Sequence, residues 1–99
     1  MQGLLMRYLS IVTVAVLLTA CAVKPPVQEM AEARSAIESA QQLGGKNPKA
    51  GVVLKSAEAS LKEAADAIDA ERYEKARRKA VEAKRMAQKA ARIQQDAVR

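Results

Sequence analysis

The chain has 99 residues, of which 17 are Lys or Arg and 11 are Asp or Glu, and its formal charge at pH 7 is +6. It has no His, Trp or Phe and a single Cys, which excludes zinc and redox motifs and an internal disulfide. A chain this short forms at most one small domain. Much of its apolar content is alanine, which suits closely packed helices better than the core of a globular enzyme.

Residues 1–20 have the order of a secretory signal peptide. The amino terminus and Arg7 supply a short positive region, an apolar run follows at 9–18, and the small residues Thr19 and Ala20 close it. The apolar run is shorter than the ~20 residues that a membrane-spanning helix requires. We therefore predict that residues 1–20 are a cleaved signal.

The segment Leu18-Thr19-Ala20-Cys21 resembles the bacterial lipobox, in which an aliphatic residue, a small residue and Ala or Gly precede an obligatory Cys. The resemblance implies that signal peptidase II recognises Leu18, Thr19 and Ala20 and cuts before Cys21. It also implies a thioether-linked diacylglycerol and an N-acyl chain on Cys21, with no other cofactor. Several acyl chains on one residue anchor a protein stably, so the mature chain, residues 21–99, is expected to be held on a membrane by lipid.

The residue after the Cys bears on which membrane this is. Ala22 stands where an Asp would resemble the inner-membrane retention mark of enteric bacteria. The absence of Asp implies the outer membrane, with the polypeptide facing the periplasm, and the inner membrane is the alternative. The competing interpretation of Cys21 is a free thiol buried in an apolar helix.

Residues 21–28 are predicted to comprise the lipidated Cys and an extended linker, because Pro25 and Pro26 favour a polyproline-like conformation. From Val27 to Leu43 the pattern is helical, and Gly44-Gly45 ends the predicted helix. Its apolar positions are Val27, Met30, Ala33, Ile37 and Ala40. A loop is predicted at 44–51.

The second predicted helix runs from about Val52 to Ile68, or begins as early as Pro48 with Asn47 as its N-cap. Its apolar residues form a heptad seam: Leu54, Ala57, Leu61, Ala64 and Ile68. A tight turn is predicted near 69–72. One continuous helix through this segment is the alternative, because the segment contains no Gly or Pro.

The third predicted helix runs from about Tyr73 to Ala97 and has a seam composed mostly of alanine. The seam comprises Tyr73, Ala76, Ala80, Ala83, Ala87, Ala90, Gln94 and Ala97. Small residues let two helix backbones approach closely. The alternative is that alanine is abundant only as a good helix former.

Basic residues are concentrated in the same part of the chain. Residues 21–71 contain six Lys/Arg and eight Asp/Glu, a net of −2, whereas residues 72–99 contain ten and three, a net of +7. Such a block favours anionic partners, and a solvated helix face without a partner is the alternative. The candidate anion-binding face comprises Arg77, Arg78, Lys79, Lys84, Arg85, Lys89 and Arg92.

Three short patterns carry a family resemblance. They are A-I-x-x-A in the first helix, L-x-x-A-x-x-x-L-x-x-A in the second, and the corner "ERYEKARRKA" that opens the third. Through them residues 29–97 resemble the bacterial domain of unknown function 4398 family (DUF4398), although "AERY" stands where a "GDY"-like turn is common. The matching positions are Ala36, Ile37, Ala40, Leu54, Ala57, Leu61, Tyr73, Ala76, Arg77 and Ala80. The resemblance implies an envelope lipoprotein and no particular activity.

These patterns predict an all-α protein whose residues 29–97 form a small antiparallel bundle or hairpin of about three helices. The expected function is a non-catalytic structural or interaction module on the periplasmic side, because the serines have no base to activate them and no Gly-rich phosphate loop is present. Expected partners are the membrane, through the lipid anchor, and a second copy or an envelope protein that completes a small core.

Two alternative functions remain open. One is an Lpp-like coiled-coil spacer between membrane and cell wall, and the other is a basic-helix module that binds anionic envelope polymers. Nucleic acid is disfavoured, since the chain is predicted to be exported and has no Trp or Phe on which bases could stack.

Overall fold

The computed structural model describes residues 24–44 and 47–98, together with Gly3 and Arg7. Residues 24–44 and 47–98 contain three helices and no strand: α1, Val27–Gln42; α2, Pro48–Asp69; and α3, Tyr73–Val98. The all-α prediction is confirmed. Residues 18–21, which carry the predicted lipidation site, lie outside the described residues.

None of the described helices has both the length and the apolar character needed to cross a bilayer.

Helix α1 begins directly after the two prolines. The N–H of Val27 donates to the carbonyl of Pro25 (2.8 Å), and that of Met30 donates to the carbonyl of Pro26 (3.0 Å). The side chain of Pro26 is fully buried, so the end of the predicted linker is part of the folded bundle. Residues 27 and 28, where the predicted linker and the predicted helical pattern overlap, form the start of α1.

One face of α1 is buried as its spacing predicts, through Met30, Ala33, Ile37 and Ala40. Val27 is 68% exposed, so its assignment to this face is wrong. At 100° per residue Val27 lies about 100° from the centre of the buried face. At the other end, Gly44 takes a φ of 57°, a conformation typical of glycine just past a helix C-terminus.

Helix α2 starts at the earlier of the two predicted positions. Asn47 Oδ1 accepts hydrogen bonds from the N–H of Lys49 (2.9 Å) and of Ala50 (3.3 Å), which makes Asn47 the N-cap. Pro48 occupies the first helical position, where its missing N–H costs nothing. Residues 48–51, predicted as loop, therefore form the first turn of α2.

The predicted turn between the last two helices is confirmed. Glu71 has a φ of 59°. Its N–H donates to the carbonyl of Ile68 (2.9 Å), and the N–H of Arg72 donates to that of Ala67 (2.8 Å). This pair of bonds is a Schellman motif, which satisfies the last carbonyls of α2 and reverses the chain before Tyr73.

The three helices pack in alternating directions, in layers that repeat every seven residues. One layer contains Met30, Ala64 and Ala80, and the next contains Ile37, Ala57 and Ala87. Leu61 packs against both layers. The α3 seam is confirmed in its centre, where five alanines are at most 2% exposed: Ala76, Ala80, Ala83, Ala87 and Ala90. Tyr73 and Gln94 are half-buried and Ala97 is exposed, so the fully buried part of the seam does not extend to either end of α3.

Candidate anion-binding face

Helix α3 does not place all seven predicted basic residues on one face. At 100° per residue, four of them fall within about 60° of one another, on the side of α3 opposite the alanine seam. These four, which we call the basic stripe, are Arg78, Arg85, Lys89 and Arg92. The other three flank the seam, Arg77 and Lys84 on the side of α1 and Lys79 on the side of α2.

The two residues beside α1 are engaged in ion pairs. Arg77 Nε lies 3.4 Å from Glu29 Oε1, and its Nη1 lies 2.6 Å from Glu74 Oε1. Lys84 Nζ donates to Glu32 Oε2 at 2.9 Å. This hydrogen bond from Lys84, with a second one from Gln28 to the other carboxylate oxygen, lowers the pKa of Glu32 below its ordinary value.

Lys79 makes the corresponding contact with α2. Its Nζ lies 2.9 Å from Glu63 Oε2 and 3.4 Å from Glu82 Oε2. The hydrogen bond and the charge of Lys79 lower the pKa of Glu63, and the same hydrogen bond raises the pKa of Lys79. The structure thus assigns Arg77, Lys79 and Lys84 to joining the helices, as charged residues beside a coiled-coil seam commonly do.

The basic stripe, in contrast, faces solvent. All four of its residues are exposed, and no ion pair to any of them is present among residues 24–44 and 47–98. From Arg78 to Arg92 the stripe extends about 21 Å along the helix axis at 1.5 Å per residue. A depression beside it is lined by Arg77, Arg78, Val81, Glu82, Arg85 and Met86. The stripe is therefore a row of exposed charge with an open depression along one side.

The remaining surface of the described residues offers no arrangement typical of catalysis. An open groove between α1 and α3 is lined mainly by small and neutral side chains, with one ion pair: Ala31, Glu32, Ser35, Ala36, Ser39, Lys84, Gln88 and Ala91. Ser60 is buried, and its Oγ donates to Met86 Sδ at 3.9 Å. In this part of the chain no group of three or more His, Cys, Asp or Glu residues could hold a metal ion.

The sequence did not reveal the division of the basic residues, although a signal for it exists. Arg77 and Lys84 are seven residues apart and adjoin the seam alanines Ala76 and Ala83. Positions next to a seam are where charges meet a neighbouring helix. The residues of "RRK" at 77–79 are adjacent along the chain, but they lie at different angles around the helix.

Comparison with known proteins adds one finding. No curated protein and no solved structure matches the chain. The family described as Domain of unknown function (DUF4398) matches residues 28–98, which include α1 except its first residue, all of α2 and α3, and the seven basic residues considered above. The chain therefore belongs to the DUF4398 family.

Proposed function

We propose that this protein is a lipid-anchored, non-catalytic helical module of the cell envelope. Acyl chains on Cys21 hold it on the outer membrane, and the bundle faces the periplasm as a structural or interaction module. The observation that carries the proposal is the placement of the single Cys, which directly follows a short apolar run and the small residues Thr19 and Ala20.

The beginning of the bundle supports this arrangement. Pro26 is buried and α1 starts at Val27, so folded structure begins only a few residues after the proposed attachment point. A lipid on Cys21 would thus hold a rigid helical body close to the headgroups.

Mass spectrometry of the protein extracted from membranes tests the anchor. We expect a mature chain that lacks residues 1–20 and carries a diacylglyceryl group and an N-acyl chain on Cys21. Cys21→Ser should yield an unlipidated precursor that retains its signal. A Cys21→Ser product trimmed like the wild type and equally abundant in membranes would contradict the proposal.

One end of the bundle exposes apolar side chains that a partner could cover. Leu43 and Val52 are 44% and 66% exposed at the end of the bundle where α1 passes into α2, and much of the core is alanine. A second copy or an envelope protein at this end would cover apolar surface that a short chain leaves open. Analytical ultracentrifugation of residues 22–99 tests self-association, and a cooperative, well-folded monomer would contradict the need for a partner.

The basic stripe favours a second function, the binding of an anionic surface. It offers four exposed cations in one row, and such rows attract acidic polymers and lipids. The Lpp-like spacer is less favoured, because the turn at Glu71 folds α3 back along α2 and thereby shortens the molecule.

A further inference from the structure

We propose that the basic stripe, Arg78, Arg85, Lys89 and Arg92, lies against anionic phospholipid headgroups, so that the bundle rests on its α3 side along the membrane. This inference deepens the proposed function and rests on it, because the lipid on Cys21 is what brings the headgroups within reach.

Within the described residues, the fold leaves the charges of the basic stripe without ion pairs. Helix α3 directs Arg77, Lys79 and Lys84 to carboxylates, of which Glu29 and Glu32 lie on α1 and Glu63 on α2. The stripe residues point away from both helices. The acidic side chains near the stripe are Glu74 and Asp96, at its two ends, and Glu82, at one edge. A flat anionic surface would meet a continuous row of cations about 21 Å long.

The tether between Cys21 and the bundle is short. Five residue steps separate Cys21 from the buried Pro26, and a fully extended chain spans at most about 18 Å over that distance. Electrostatic attraction to a surface fades over a screening length of about 8 Å at physiological salt. The tether therefore keeps Pro26 within about 18 Å of Cys21 and lets the bundle reach the headgroups, and the orientation of the long axis decides how many cations come within the screening length.

The register of the helices shows which orientation uses the stripe. Met30 packs at the level of Ala64 and Ala80, so the alternating helix directions place Pro26 at the level of Ile68 and Ala76. Arg92 lies sixteen residues beyond Ala76, about 24 Å along the axis. A bundle standing upright would hold Arg92 far outside the screening length, whereas a bundle on its α3 side brings all four cations to the surface together.

The residue types on this surface favour lipid over a protein partner. Protein interfaces depend on buried aromatic and Arg anchors seated in pockets. Within the described residues the only aromatic side chain is Tyr73, next to the corner and off the stripe. A headgroup surface requires only distributed charge, which the stripe provides.

Energy transfer between the bundle and the bilayer tests the orientation. Because lipid occupies the Cys21 thiol, a fluorophore can be attached to the mature lipoprotein through Gln88→Cys, beside the stripe, or through Ala59→Cys, on the outer face of α2. Each labelled protein is reconstituted in vesicles with acceptor-labelled headgroups, made of phosphatidylcholine alone or of an equimolar mixture with phosphatidylglycerol. We expect more transfer from position 88 than from position 59 in the mixed vesicles, and loss of that excess in phosphatidylcholine or at high salt.

A charge-matched pair of variants identifies the residues responsible. Changing Arg78, Arg85, Lys89 and Arg92 to Gln should abolish the excess. Changing Arg34, Lys49, Lys55 and Lys62 to Gln removes the same charge from exposed positions of α1 and α2 and should preserve it. Circular dichroism of both variants confirms that the bundle is intact.

Three results would overturn the inference. They are equal transfer from positions 88 and 59 in mixed vesicles, an excess that survives loss of the stripe, and an excess that both variants abolish equally. If a soluble polyanion binds the stripe, and energy transfer from position 88 does not exceed that from position 59 in mixed vesicles, the stripe is assigned to a polymer instead. Mass spectrometry of Cys21 in the same preparation reports the anchor separately, so failure of the stripe is distinguishable from failure of the proposed function.

Discussion

At the scale of single residues, Glu71 sets the path of the chain between α2 and α3. Its φ of 59° lies in the left-handed region, which costs a residue with a side chain about 1–2 kcal/mol. The break between the α2 and α3 seams predicted a turn here. It could not predict which residue takes the positive φ, because neither Gly nor Asn occurs between 69 and 72.

Glu71→Gly should stabilise the bundle. Glycine removes the steric cost of the left-handed conformation but adds about 0.5–1 kcal/mol of chain entropy lost on folding, so the expected net gain is about 0.5–1 kcal/mol. Urea denaturation of residues 22–99, followed by circular dichroism, measures the change. The control is Ala70→Gly, whose φ of −87° gives glycine no advantage, and equal gains for both variants would contradict the explanation.

At the scale of elements, the alanine seams determine how closely the helices approach. Ala57, Ala64, Ala80 and Ala87 are fully buried and occupy the layers in which α2 meets α3. These positions could be predicted from a repeat of three and four residues, since such spacing keeps side chains on one helix face. The ion pairs that flank the seams could not, because they depend on how α1, α2 and α3 are arranged around one another.

Ala57→Leu should destabilise the bundle by about 1–3 kcal/mol, because a larger side chain in a packed layer forces the helices apart. Ala59→Leu lies two residues away on the exposed side of α2 and should change the free energy of unfolding by no more than about 0.5 kcal/mol. The two variants carry the same substitution in the same helix. Similar denaturation midpoints would show that the seam does not limit helix approach.

At the scale of the whole molecule, ion pairs join α3 to both other helices. A carboxylate whose pKa is lowered in the folded state contributes stability above its ordinary pKa, and the contribution is lost as pH falls through the lowered value. Glu32 and Glu63 are of this kind, with an ordinary value of 4.5. Lys79 also contributes stability, but over the opposite pH range. Because its pKa is raised, its contribution is present below the ordinary value of 10.5 and is lost as pH rises beyond it.

The bundle should therefore lose stability as pH falls below about 5, from the ordinary value of 4.5 through the lowered pKa values of Glu32 and Glu63. Urea midpoints measured across this range test the expectation. Combining Glu32→Gln with Glu63→Gln should lower stability at neutral pH and flatten the acid side of the profile. Glu38→Gln removes an exposed α1 carboxylate that makes no ion pair within the described residues and should keep the slope of the wild type.

The fold was largely predictable from the sequence, and the function of its surface was not. Helix spacing, Asn47 and the glycines at 44 and 45 were sufficient to place three helices and their buried faces. The assignment of basic residues to pairing or to solvent required the positions of Glu29, Glu32 and Glu63 on neighbouring helices. The lipidation proposed at residues 18–21 depends on the sequence alone.

The burial of Pro26 has a mechanical consequence. Because the bundle begins at the prolines, a lipid on Cys21 would be joined to it by only five residue steps, and every copy would be held by the same end of α1. Neighbouring copies on one leaflet would then share one anchored end and occupy the same layer above the lipid. Inserting residues between 21 and 25 would lengthen this connection and leave the sequences of α1, α2 and α3 unchanged.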